Sequence, residues 1–197
     1  MAEKERNRRL AEEIIEHCAP TLAGIKTANL FKLQTGGRDI TDEIRSLNRR
    51  ITKKGIRIVP VRKTTEYTLL YLYRPEYLKR DLKRPEAKRI LAEKGYEKKE
   101  PAYCLAELVK HLADDETFPH EIGLFLGYPP ADVRGFMQNP CKGVKCSGCW
   151  KVYGNPKEAE QTFARYKHCT AVYCRQAKCG KSLESLVVDT DRKRKGA

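Results

Sequence analysis

A chain of 197 residues, 40% apolar and 34% charged, carries enough apolar material for one sizeable core or two small ones, which excludes a disulfide-stapled miniprotein and a largely disordered chain. Its two unusual totals are a formal charge of +14 and eight cysteines. The opening MAEKERNRRL is too polar for a signal peptide, and no apolar run approaches the roughly 18–20 residues of a membrane helix. The expectation is a cytoplasmic protein with no membrane partner, whose cysteines serve as metal ligands, reactive thiols or small core residues.

From about Glu3 to Cys18 the apolar positions Leu10, Ala11, Ile14 and Cys18 recur at helical spacing, and Pro20 is expected to end that helix. Ala28–Gln34 reads as a strand closed by Gly36-Gly37. A helix follows, with Asp39 or Thr41 in capping position, Ile40, Ile44, Leu47 and Ile51 on one face, and Gly55 as its stop. Two β-branched and aromatic segments, 56–62 and 66–73, flank a turn at Lys63-Thr64-Thr65, and Pro60 marks the first as an edge strand or a bulge. Pro75 and Pro85 open short helices near 76–83 and 86–94. A longer helix spans 101–113, with Tyr103, Leu105, Leu108, Val109 and Leu112 available to a core. Two short helical pieces lie around Gly127 and Pro129-Pro130, WKVYG is a short strand, and Pro156 opens a last helix to about Lys178. This uneven interleaving predicts one α+β domain over 1–188 with a small, mainly antiparallel sheet of about four strands packed with several helices, and a disordered basic tail over 189–197.

The charge is uneven, net +9 over residues 41–100, −4 over 101–140 and +6 over 141–188. Arg45, Arg49 and Lys53 form a stripe at four-residue steps, and Lys79, Arg80, Lys83 and Arg84 a second cluster. Such surfaces fit the phosphates of RNA or DNA, or an acidic partner protein. Charged helix faces are also commonly just solvated, and no nucleic-acid-binding signature accompanies these.

Cys141, Cys146 and Cys149 follow the spacing C-x4-C-x2-C. Cys146-Ser147-Gly148-Cys149 has the form of a tight knuckle that aims two sulfurs at one ion, with Cys141 or Cys169 as a further ligand and zinc or an iron–sulfur cluster as the cofactor. On one helix Cys169 and Cys174 lie about 140° apart, so that helix cannot aim Cys169, Cys174 and Cys179 at a single ion. Free thiols are the alternative, and Cys104 reads as a core residue. His17-Cys18 and His168-Cys169 are neighbours whose side chains diverge by about 100°, so neither dipeptide is a ready thiolate–imidazole pair. HEIGL at His120 lacks the second histidine of the zinc-protease motif, and no P-loop or dinucleotide fingerprint is present.

The segments CAPTLAGIKTANLF (18–31), HEIGLFLGYPPADVRGF (120–136) and WKVYG with the later RYKHC (150–169) together resemble a bacterial family known as domain of unknown function 3793, over about residues 10–175. The resemblance implies a cytoplasmic domain of about this length, common in anaerobic bacteria, and no particular activity. Its motif covers Cys18, Pro20, Thr21, Gly24, His120, Glu121, Gly123, Gly127, Tyr128, Pro129, Trp150, Lys151, Tyr153, Tyr166 and Cys169, and leaves out Cys141, Cys174 and Cys179. Gly123, Gly127 and Pro129 have the character of a rigid turn. The competing expectation is a pocket that gathers Cys18, His120, Glu121, Tyr128, Lys151, Tyr153 and Cys169. The function expected is that of a thiol- or metal-dependent accessory protein in anaerobic redox or metal metabolism. A basic RNA- or DNA-binding module, or a scaffold for an acidic partner, is the alternative.

Overall fold

The computed structural model describes residues 2–96, 100–113 and 118–190. The fold is α+β, and the chain divides into two compact units, residues 1–75 with 166–197 and residues 76–165.

The first unit begins with helix α1, Ala2–Leu22, which runs past the expected stop at Pro20. Proline has a helical φ and lacks only an N–H, so in a last turn it removes one hydrogen bond without turning the chain. The last carbonyls of α1, which have no intrahelical donor because the helix ends there, find other partners. The Pro20 carbonyl accepts from the amides of Ile25 and Lys26, and those of Thr21 and Leu22 accept from the Arg74 guanidinium at 2.7 and 2.8 Å. Arg74 is buried and also donates to the Val188 carbonyl and the Thr190 hydroxyl, so one side chain ties the end of α1 to the segment after the last helix. Thr190 is therefore held, while residues 191–197 of the expected basic tail lie outside the described residues.

Strands β1 (Ala28–Gln34), β2 (Arg57–Lys63) and β3 (Tyr67–Tyr73) form an antiparallel sheet in the order β1-β3-β2. Tyr67-Thr-Leu-Leu-Tyr-Leu-Tyr73 occupies the centre because almost every residue in it is buried, and a strand covered on both faces reads as a continuous apolar run. β2 is an edge strand with a register shift between Pro60 and Arg62, as its proline requires. Helix α2 (Thr41–Ile51) buries Ile44, Leu47 and Ile51 and protects that edge. Asn48 donates to the Ile58 carbonyl at 2.7 Å and accepts from the Ile58 amide at 3.0 Å, which closes backbone groups that would otherwise template another strand. The core joins Leu10, Ile14 and Cys18 of α1 to Phe31, Leu33, Leu70 and Leu72 of the sheet and to Leu183 and Leu186 of helix α9 (Leu183–Leu186), with Tyr173 and Cys174 packed at its margin.

The second unit contains α3 (Pro75–Leu82), α4 (Pro85–Glu93), α5 (Pro101–Ala113), α6 (Ile122–Phe125), α7 (Pro130–Gln138) and a two-stranded antiparallel pair, β4 (Cys146–Ser147) with β5 (Lys151–Val152). The small sheet is thus three strands plus a separate pair rather than one sheet of about four. Helix α8, Pro156–Lys178, spans the point where the two units divide. Leu108 and Leu112 of α5 are buried, but Tyr103, expected in the core, is 55% exposed. Among the described residues no helix is long and apolar enough to cross a membrane.

Candidate functional site

The motif around His120–Phe136 and the motif WKVYG meet at one side chain that the sequence reading did not single out. Asp132, on α7 and buried, accepts from Trp150 Nε1 at 2.7 Å through Oδ2, and from the backbone amides of Tyr153 and Gly154 at 2.8 and 2.7 Å through Oδ1. Hydrogen bonds to a carboxylate are short and strong, so this group fastens the β4–β5 hairpin to α7. The glycines make close approach possible. A Cβ on Gly135 would stand 2.4 Å from Tyr153 Cγ, and one on Gly148 2.3 Å from Phe163 Cδ2. Gly127, at φ 78°, makes the turn expected of it. Trp150 stacks on Tyr128 at 4.8 Å and meets Phe163 edge-on at 4.6 Å.

This frame presents the cysteine knuckle. Cys146 pairs with Val152 across the hairpin, and the turn is closed by Gly148 N–H donating to the Trp150 carbonyl at 3.1 Å. Cys149 and Cys141 are exposed and Cys146 is half-buried; all eight cysteines are thiols. Burial, then the carboxylates of Glu160 and Asp132, push the Cys146 thiol up from its ordinary range. A nucleophilic cysteine needs the opposite shift. Among the described residues no group of three or more His, Cys, Asp or Glu side chains is arranged to hold a metal ion.

The seven residues expected to share a pocket fall in both units: Cys18 and Cys169 in the first, His120, Glu121, Tyr128, Lys151 and Tyr153 in the second. Cys18 is wholly buried in the apolar core, and burial pushes its thiol up strongly, so it is a packing residue. Cys169, half-buried on α8, is also pushed up by burial. Three of the polar motif residues donate to backbone carbonyls: Tyr128 to Cys149 at 3.2 Å, Lys151 to Pro140 at 2.9 Å and Tyr153 to Asn139 at 3.0 Å. They hold loops in place. His120 packs edge-on against Phe136 at 5.0 Å and lines a cavity. Glu121 is buried and accepts on Oε1 from Tyr96 Oη at 3.1 Å, with His111 Nδ1 at 3.2 Å from the same oxygen.

The basic residues Arg45, Arg49, Lys53, Lys79, Arg80, Lys83 and Arg84 are all exposed. The first three belong to one unit and the last four to the other. Arg45 stands 3.5 Å from Asp42, and Arg80 and Arg84 pair with Asp81 at 3.0 and 3.4 Å, so part of the charge is balanced locally.

By its architecture the chain is an α+β protein with two small antiparallel sheets and a hairpin that carries paired thiols. Residues 14–187 match the family described as Protein of unknown function (DUF3793), and the chain belongs to that family. No curated protein and no solved structure matches it.

Proposed function

We propose that this chain is a thiol-dependent accessory protein of anaerobic redox or metal metabolism, and that its working part is the Cys146–Cys149 hairpin acting as a two-thiolate site for a soft metal ion. The observation that carries the reading is the hairpin itself, in which Cys146 pairs with Val152, Gly148 closes the turn onto the Trp150 carbonyl, and Cys149 is exposed three residues from Cys146. A raised thiol is a poor nucleophile at neutral pH, yet a metal ion displaces its proton. Two ligands on an exposed turn leave coordination positions open, which suits an ion that is passed on rather than stored. The test is titration of the full chain, purified without oxygen, with Zn²⁺ and with Co²⁺, whose thiolate charge-transfer absorption reports sulfur ligation. Saturation near one ion per chain, lost in Cys146→Ser and in Cys149→Ser, supports the reading. Unchanged binding in the double variant removes it.

A second reading, recognition of RNA, DNA or an acidic protein by the basic residues, has in its favour that all seven side chains are exposed. It predicts nucleic-acid binding that weakens steeply as salt is raised. No shift of a labelled oligonucleotide at low ionic strength sinks the nucleic-acid form.

A further inference from the structure

In the second unit, apart from the cysteine hairpin, a cavity of about 590 Å³ is lined by Lys94, His111, Phe118, His120, Glu121 and Met137. That volume lies in the range of small-molecule sites. Its floor is organised by a buried carboxylate. Glu121 Oε1 lies 3.2 Å from His111 Nδ1 and accepts from Tyr96 Oη at 3.1 Å. Tyr96 is held protonated by burial and by Glu121 itself, so it remains a donor. Nδ1 of His111, which also lies 3.3 Å from Tyr96 Oη, is held in orientation by this cluster, and in the complex with an anion the ring carries both protons, Nδ1–H donated to Glu121 and Nε2–H to the ligand. Glu107 Oε1 stands 3.9 Å from Nε2, beyond hydrogen-bonding distance.

The other described lining residues add charge and aromatic surface. Lys94 supplies a cation, and His120 is braced by the edge of Phe136 at 5.0 Å. Phe118 is 52% exposed at the opening, and Tyr103, also exposed, lines the neighbouring cavity of about 400 Å³ whose wall includes Tyr96. Large aromatic side chains left in water at the mouths of cavities that share one polar cluster favour a ligand with an apolar body.

We propose that the cavity lined by Lys94, His111, His120 and Phe118 binds a small organic anion, with its carboxylate or phosphate group held by Lys94 and the two imidazoles and its apolar part against Phe118 and Met137. Glu121 is a positioning residue that acts through His111.

Calorimetric titration of the full chain with benzoate and with phenyl phosphate tests this, with benzamide as the neutral isostere and inorganic phosphate as the anion without an apolar body. At least one of the two aromatic anions binds about tenfold tighter than benzamide, and the better of them identifies the headgroup. Lys94→Met, at an exposed position, and His111→Phe each weaken it by about fivefold or more. In Glu121→Gln the imidazole nitrogen resonances of His111 change, reporting loss of the hydrogen bond from Nδ1 to a carboxylate, while far-UV circular dichroism stays the same. The proposal is overturned if both aromatic anions bind no tighter than benzamide, if inorganic phosphate binds as tightly as phenyl phosphate, or if Lys94→Met retains full affinity.

Discussion

Replacing Asp132 tests whether one carboxylate couples α7 to the cysteine hairpin. In Asp132→Ala the indole N–H of Trp150 and the amides of Tyr153 and Gly154 lose their acceptor together. A hydrogen bond to a charged group contributes about 1.5–3 kcal/mol, and the three do not add fully because they share one partner. The expected loss is about 3–5 kcal/mol, a large share of the roughly 5–15 kcal/mol that stabilises a typical domain. Asp132→Asn keeps one oxygen but sets an NH2 against either the indole N–H or the two backbone amides, so it loses an intermediate amount, about 1.5–3 kcal/mol. Trp150 is the single tryptophan, so urea unfolding followed by its fluorescence reads this junction directly. Both variants falling within about 1 kcal/mol of wild type, or asparagine proving worse than alanine, would refute the coupling.

Arg74→Met removes the donor shared by the carbonyls of Thr21, Leu22 and Val188 and should destabilise the first unit by about 3–5 kcal/mol in urea; Arg74→Lys should recover little, since an ammonium lacks the planar fork. Cys18→Ser buries a hydroxyl in an apolar core and should cost about 1–3 kcal/mol while leaving Co²⁺ binding intact; lost binding with unchanged stability would contradict a packing role. Because the Cys146 thiol is raised, bound metal must displace its proton, so apparent metal affinity should climb by roughly tenfold per pH unit for each proton released, up to that raised pKa. A pH-independent affinity between pH 6 and about 8 would refute it.

What was legible in the sequence is what depends on neighbours in the chain. The apolar faces of α1 and α2, the central strand β3, the proline-marked edge β2 and the span of α8 all follow from periodicity, branching and proline over windows of a few residues. Pro20 misled because its effect depends on how far it stands from the helix end, and where the helix ends depends on what takes up its last carbonyls. One taker, Arg74, is 53 residues from Thr21 and 116 from Thr190. Strand β4 has only two residues, too few for any alternation to show.

The candidate site was legible in part for the same reason. The motif positions named residues of mixed duty, and only packing separates them. Tyr128, Lys151 and Tyr153 carry groups suited to binding, yet each donates to a loop carbonyl, while Cys18 lies sealed in the core. Glu121 is different in kind. Burying a carboxylate is costly unless donors meet it, and here Tyr96 and His111 converge on one oxygen at the floor of a cavity. Helix α5 supplies His111, and Tyr96 follows α4, so their convergence on Glu121 could not be read from the HEIGL segment alone. A scaffold needing only packing could fill that position with a leucine; retaining an oriented imidazole beside open volume is the arrangement expected where a ligand is read.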